Sequence, residues 1–212
     1  MAILQSVNIG KPEPIAAKSS VTGIFKRGME GDVEITREGL VGDAIIDRNH
    51  HGGVDQAVYV YFGDDYEWWS TELGREIAPG TFGDNLTIGG VEGRQVGVGD
   101  RFTIDEVVLE VTSHRTPCSV FAARMDDPKF IKQFHRAGRP GAYCRVIKQG
   151  HVHAGAPVLY TPFDGERITV SALMATLDGA REIDADFMRR ALSTPLHYKI
   201  REDFNDRLAR LI

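Results

Sequence analysis

HHGGVDQAVYVYF, residues 50–62, runs from two histidines, two glycines and an aspartate straight into an alternating apolar segment. Val58, Val60 and Phe62 alternate with Tyr59 and Tyr61. Successive strand residues point to opposite faces. Both faces of this strand are bulky, so AVYVYF (57–62) is expected to be covered on both sides. It is a buried strand with polar chemistry at its mouth.

Working outward, the same period-two reading predicts strands at AILQSVNI (2–9), DVEIT (32–36), NLTI (85–88), RFTI (101–104), VVLEVTS (107–113), AYCRVIK (142–148) and APVLYT (156–161). Only Asp105 and Glu106 separate RFTI from VVLEVTS, the signature of a tight hairpin. Two helices interrupt. DDYEWWSTELG (64–74) has an acidic start and a closing glycine, and DDPKFIKQFHRAG (126–138) has a proline near its start and Gly138 at its end. Many short strands, few helices and 23 glycines in turns read as a mainly β fold, a sandwich or closed barrel. The pattern changes after Pro162. Three helical segments follow, with Ser171 and Asp184 as expected N-caps. This divides the chain into a β domain over 1–164 and a small three-helix domain over 165–212.

Bulk properties narrow the function. The 212 residues suffice for a core without disulfide or metal staples. Twenty-five basic against thirty acidic side chains argue against a nucleic-acid polymer or a membrane surface as partner, but leave room for a local basic pocket. No stretch approaches the ~20 apolar residues that span a bilayer, and MAILQSVNIGKPEP does not read as a signal peptide. Two cysteines, Cys118 and Cys144, form no disulfide framework. The expectation is a cytoplasmic protein with reduced thiols.

Five stretches carry chemistry. In HHGGVDQ, Gly52 and Gly53 permit positive φ and close backbone approach to an anion. His51 could transfer a proton or bind a ligand there, with Asp55 orienting it. In SHRTPCSVF (113–121), Cys118 leaves the preceding strand after Pro117. His114 and Arg115 stand close enough in sequence to favour its thiolate, a soft ligand for a thiophilic metal. The alternative is an inert, packed thiol. In TFGDNLTIGG (81–90), Asn85 offers amide donors and a carbonyl acceptor, or simply a turn. In GAYCRV (141–146), alternation puts Cys144 in the core and Arg145 on the opposite face, where its fork could hold an oxoanion or make a surface ion pair. In GHVHAG (150–155), His151 and His153 share a strand face. Together with His50, His51 and Asp55 they frame a lesser alternative, a hydrolytic zinc site.

Taken in order, HHGGVDQAVYVY, FGDNLTI, VGDRF, SHRTPCSVF and GAYCRVI resemble the MOSC domain family, named for the C-terminal region of molybdenum-cofactor sulfurases. GLVGDAIIDRNHHGGVDQAVYVY resembles the family's main block, and Cys118 matches the position of its cysteine. The helical tail is similar to the three-helix extension of the YiiM-like subgroup. His50 departs from the pattern, standing where that subgroup has an apolar residue. The resemblance implies a pyruvate-kinase-barrel-like β-barrel that binds the molybdenum cofactor, a pyranopterin dithiolene bearing a phosphate. It implies Cys118 as molybdenum ligand and an oxidoreductase that reduces N-hydroxylated compounds such as hydroxylaminopurine-type bases. His51 titrates in the range a proton donor needs. A phosphate wants loop amides and cationic side chains, so Lys26, Arg48, Gly52, Gly53, Arg115 and Arg145 are its expected contacts, and Asp55 and Asn85 are expected to complete the cofactor site. No flavin, haem or iron–sulfur motif is visible, so a separate electron-donor protein is the expected partner. The alternative is a cofactor or sulfur carrier with a persulfide on Cys118.

Overall fold

The computed structural model describes residues 1–16, 21–46, 52–177 and 183–211. Thirteen strands occur among them: β1 (Ala2–Gly10), β2 (Glu13–Pro14), β3 (Val21–Thr22), β4 (Lys26–Gly28), β5 (Val33–Thr36), β6 (Gly39–Leu40), β7 (Val58–Phe62), β8 (Leu86–Gly89), β9 (Arg101–Ile104), β10 (Val107–Ser113), β11 (Ala142–Lys148), β12 (Gly150–Val152) and β13 (Pro157–Thr161). The helices are α1 (Gly63–Leu73), α2 (Ser119–Arg124), α3 (Phe130–Ala137), α4 (Val170–Leu177), α5 (Ala185–Leu192) and α6 (Tyr198–Ala209).

Seven strands close into a barrel in the order β13-β9-β10-β11-β7-β8-β1, and β1 pairs back onto β13. Every neighbouring pair is antiparallel except β7–β8. That parallel pair needs a crossover, which α1 begins directly after β7. The two-residue hairpin between β9 and β10 is present, with Ile104 facing Val107 and Asp105 at φ 50. β4 extends the sheet beyond β1, and β5, β6 and β12 form a separate small sheet. The expected mainly β barrel with helical additions is the observed fold.

All five β7 residues are buried. Val58, Val60 and Phe62 join the apolar cluster that fills the barrel, with Leu4, Phe102 and Leu109. Tyr59 and Tyr61 point outward into an aromatic cluster with Trp69, Phe82, Phe121 and Phe134, which α1, α2 and α3 close over. At roughly 2 kcal/mol per buried large side chain, this strand alone anchors both layers. The bore is packed, so a ligand site has to lie outside it.

The tail has its own cluster of Leu173, Met188, Ala191, Leu196 and Phe204, completed by Val98 from the barrel side. Met174 packs instead into the aromatic cluster. Asp184 caps α5, accepting from Phe187 N–H at 2.6 Å. Ser171 does not cap α4. That helix begins at Val170, and the Thr169 hydroxyl accepts from Ala172 N–H at 3.1 Å. The Ser171 hydroxyl donates to the Gly138 carbonyl, tying α4 to the end of α3.

Candidate functional site

Tyr59 of β7 and Tyr143 of β11 are cross-strand partners, their ring centroids 5.0 Å apart on the outer wall of the barrel. They form part of the wall of a hollow of about 770 Å³, a figure that includes the open solvent at its mouth. Lys26, Asp43, Gln56, Asn85, Arg115 and Cys118 supply its polar groups; Val21, Ile24, Ile45 and Ile46 form an apolar side. Val21 and Ile46 stay exposed at 37% and 42%.

Arg115 sits behind this hollow in an aromatic cage. Its guanidinium carbon lies 3.9 Å from the Phe121 centroid, 5.5 Å from Tyr59 and 6.0 Å from Phe134. Burial opposes its charge, but Tyr59, Tyr143 and Cys118 outweigh that and raise its pKa, so the cation persists. Nη1 is buried and has no hydrogen-bond partner among the described residues. A buried cationic donor left unpaired is costly unless something completes it.

Cys118 is half-buried and not in a disulfide. Extended backbone at Cys118 turns the chain out of β10 into α2, and its carbonyl accepts from Ala122 N–H at 3.1 Å. Cys144 faces the packed bore, and burial pushes its thiol well up. Alternation along β11 therefore put Cys144 in the core correctly. His114 does not join Arg115 as a cation: burial, and secondarily His135, push its pKa down to about 3. Arg115 is coupled to the thiol as a persistent cation.

The other expected residues divide. Gly52 lines the hollow at φ 81, and a Cβ there would stand 3.1 Å from Ile45. Gly53, at φ 84, precedes a single 3-10 turn over Val54–Gln56 and is not among the lining residues. Lys26 lines the hollow but is nearly buried and paired with Asp43. Burial lowers its pKa despite that partner. Asn85 donates to Asp43 Oδ2 at 2.9 Å and accepts from Tyr59 N–H at 3.1 Å, so its amide braces the wall. Arg48, His50 and His51 lie outside the described residues.

Asp55 and Arg145 require a correction. Arg145 is on the outer face, as alternation predicts, but two residues past Tyr143 along β11 and not in the wall of the hollow. Its Nε lies 3.1 Å from Asp55 Oδ1, at ion-pair distance without a hydrogen bond, and its Nη1 3.5 Å from Glu110 Oε1, so two carboxylates already balance the guanidinium charge. The histidines of GHVHAG face carboxylates: His151 is 3.8 Å from Glu106, and His153 is 3.6 Å from both Asp32 and Asp105. Among the described residues, no three His, Cys, Asp or Glu side chains are grouped to hold a metal. Tyr59, Tyr143, Asp43 and Ile45 are wall residues the motif reading missed. The outward parity of Tyr59 and Tyr143 was the available signal for two of them.

The sequence profile of the MOSC domain matches residues 47–159, just over half of the chain. The chain belongs to the MOSC domain family. Its relatives include the uncharacterized protein YflK of Bacillus subtilis, 37% identical over 153 residues, which are 71% of this chain and 69% of YflK. A protein named reductase from Gibberella moniliformis is 32% identical over 158 residues, which are 72% of this chain but only 28% of that protein. The crystal structure of YiiM from Geobacillus stearothermophilus superposes with a TM-score of 0.81 at 26% identity, over 98% of this chain and all of that one. The MOSC barrel thus carries its hollow on the outer wall, between Gly52 and Cys118. No helix among the described residues is long and apolar enough to cross a membrane.

Proposed function

We propose that this MOSC protein is a molybdenum-cofactor-binding oxidoreductase that reduces N-hydroxylated compounds. One observation carries the reading: Arg115, with an unpaired buried Nη1, and Cys118 both line the same hollow. The donor set fits the cofactor. Cys118 offers the soft sulfur that molybdenum takes, Arg115 offers charge-assisted donation to an oxoanion, and Gly52 keeps the facing backbone clear of a side chain. The relative named reductase and the family's association with this cofactor support the same reading.

When bound, the cofactor supplies two-electron removal of oxygen. The reaction R–NH–OH + 2e⁻ + 2H⁺ → R–NH₂ + H₂O needs two protons and an outside electron donor, a separate protein in this reading. Cys118 would hold the metal, and the Arg115 cation beside it would favour the thiolate and anchor negative charge. The apolar side formed by Val21, Ile24, Ile45 and Ile46 favours a substrate with a weakly polar body. His51, one position before Gly52, is the proposed proton donor.

The test is protein purified from a cofactor-producing host. Wild type is expected to hold molybdenum close to stoichiometrically and to reduce an N-hydroxylated purine with a chemical electron donor. Cys118→Ala is expected to lose both while keeping its thermal transition. Metal-free wild type indistinguishable from the variant would overturn the reading. A mass increase of ~32 Da on Cys118, one sulfur atom, without turnover would favour the carrier instead.

A further inference from the structure

Asp55 sits in the single turn that joins Gly52 and Gly53 to β7, and the neighbouring Gln56 and Ala57 line the hollow. Asp55 itself is not in the wall of the hollow, and its carboxylate meets the helical tail and Arg145. Its Oδ2 accepts from Tyr198 N–H at 2.9 Å, and its Oδ1 is the ion-pair partner of Arg145. Arg145 Nη2 in turn donates to the Pro195 carbonyl at 3.1 Å. A second strand of contacts runs beside this one. Thr112 Oγ1 donates to the Asp55 carbonyl at 2.5 Å, and the Thr112 carbonyl accepts from His197 N–H at 3.0 Å.

The corner between α5 and α6, residues 193–197, is thereby fastened to the pocket loop at both the side chain and the backbone of Asp55. We propose that this corner is a clamp that sets the pocket loop, with Asp55 and Arg145 as positioning residues for the site. The inference rests on the hollow being the functional site, but its test needs neither cofactor nor substrate. The physical basis is the geometry of the loop. Two glycines with positive φ and one 3-10 turn have little internal stiffness. Hydrogen bonds to a charged acceptor from a packed helix corner supply what the loop lacks.

The clamp can be opened at one atom. Tyr198 is the first residue of α6, where proline is tolerated because its missing N–H has no partner within the helix. His197 precedes it at φ −51 and ψ 134, a conformation compatible with a following proline. Tyr198→Pro therefore removes the donor to Asp55 and leaves the helix intact. Tyr198→Ala removes the exposed ring but keeps the donor. Hydrogen exchange of residues 53–57, the rate of Cys118 alkylation by iodoacetamide and the thermal transition are measured for both.

Tyr198→Pro is expected to exchange about tenfold faster at 53–57, the effect of losing one hydrogen bond to a charged acceptor. Cys118 alkylation is expected to quicken with it, while Tyr198→Ala stays at wild-type values. Equal behaviour of the two variants, or acceleration spread evenly over the barrel strands with a lowered transition, would show that the tail only packs. Asp55→Ala makes the same test from the loop side with α6 untouched, and it decides the matter if the proline variant does not fold. Loss of molybdenum binding in wild type would bear on the proposed function and leave this result unchanged.

Discussion

The Arg115 guanidinium stands face-on to Phe121, 3.9 Å from its centroid, on the strand exit that also delivers Cys118 to the hollow. Stacking fixes the cation, and its charge favours the thiolate. Arg115→Met keeps the apolar contact and removes the charge. The apparent thiol pKa of Cys118, read from the pH dependence of iodoacetamide alkylation, is expected to rise by about 1 unit. An unchanged profile would separate Arg115 from the thiol's chemistry.

Cys144 answers as a packing residue. It is fully buried in the bore. Native protein is expected to take up one equivalent of alkylating agent, on Cys118, and a second only when unfolded. Cys144→Ala is expected to lower stability by about 1 kcal/mol through the small void it leaves, without altering molybdenum content. Denaturant unfolding and elemental analysis check the two halves.

The Lys26–Asp43 pair lies almost wholly out of water, with side-chain exposures of 9% and 4%. Lys26→Met strands the Asp43 carboxylate, which still accepts from Gly10 N–H and Asn85. A loss of about 3 kcal/mol is expected. Adding Asp43→Asn should recover much of it, because a neutral amide no longer needs the cation. A double-mutant cycle in urea measures the coupling. Additive effects would mean that the pair contributes nothing as a pair.

His114 makes the fold acid-sensitive. Its folded pKa of about 3 lies below the ordinary 6.5, so the folded chain binds fewer protons than the unfolded chain between those values. The stability contributed by this histidine therefore falls as pH drops through the window, by about 2 kcal/mol over the first two units. Asp65, which burial raises to about 6, acts with the opposite sign in the acid range. The comparison of wild type with His114→Gln isolates the histidine. The variant is expected to gain on wild type steadily from pH 6.5 downward, as followed by thermal transitions. A constant difference would refute the buried, neutral histidine.

Local pattern alone determined a great deal. Period-two alternation located the seven barrel strands to within a residue or so, put Cys144 in the core, and put Arg145 on the outer wall. The glycines at 52 and 53 read correctly as positive-φ positions, because only glycine adopts them without strain. Asp184 announced its helix, while Ser171 misled because Thr169, two residues earlier, had the same capping chemistry.

Periodicity reports which face a side chain takes, but not how far along the barrel it stands or what meets it there. Arg145 and Tyr143 share a face, yet one lines the hollow and the other holds Asp55. Lys26 read as a free cation until the fold brought Asp43 against it. The Tyr198 N–H reaches Asp55 across 143 residues of sequence. Faces are set by the backbone's own geometry, within a few residues. Partners are set by barrel closure and by the docking of the helical tail, which no short stretch of chain encodes.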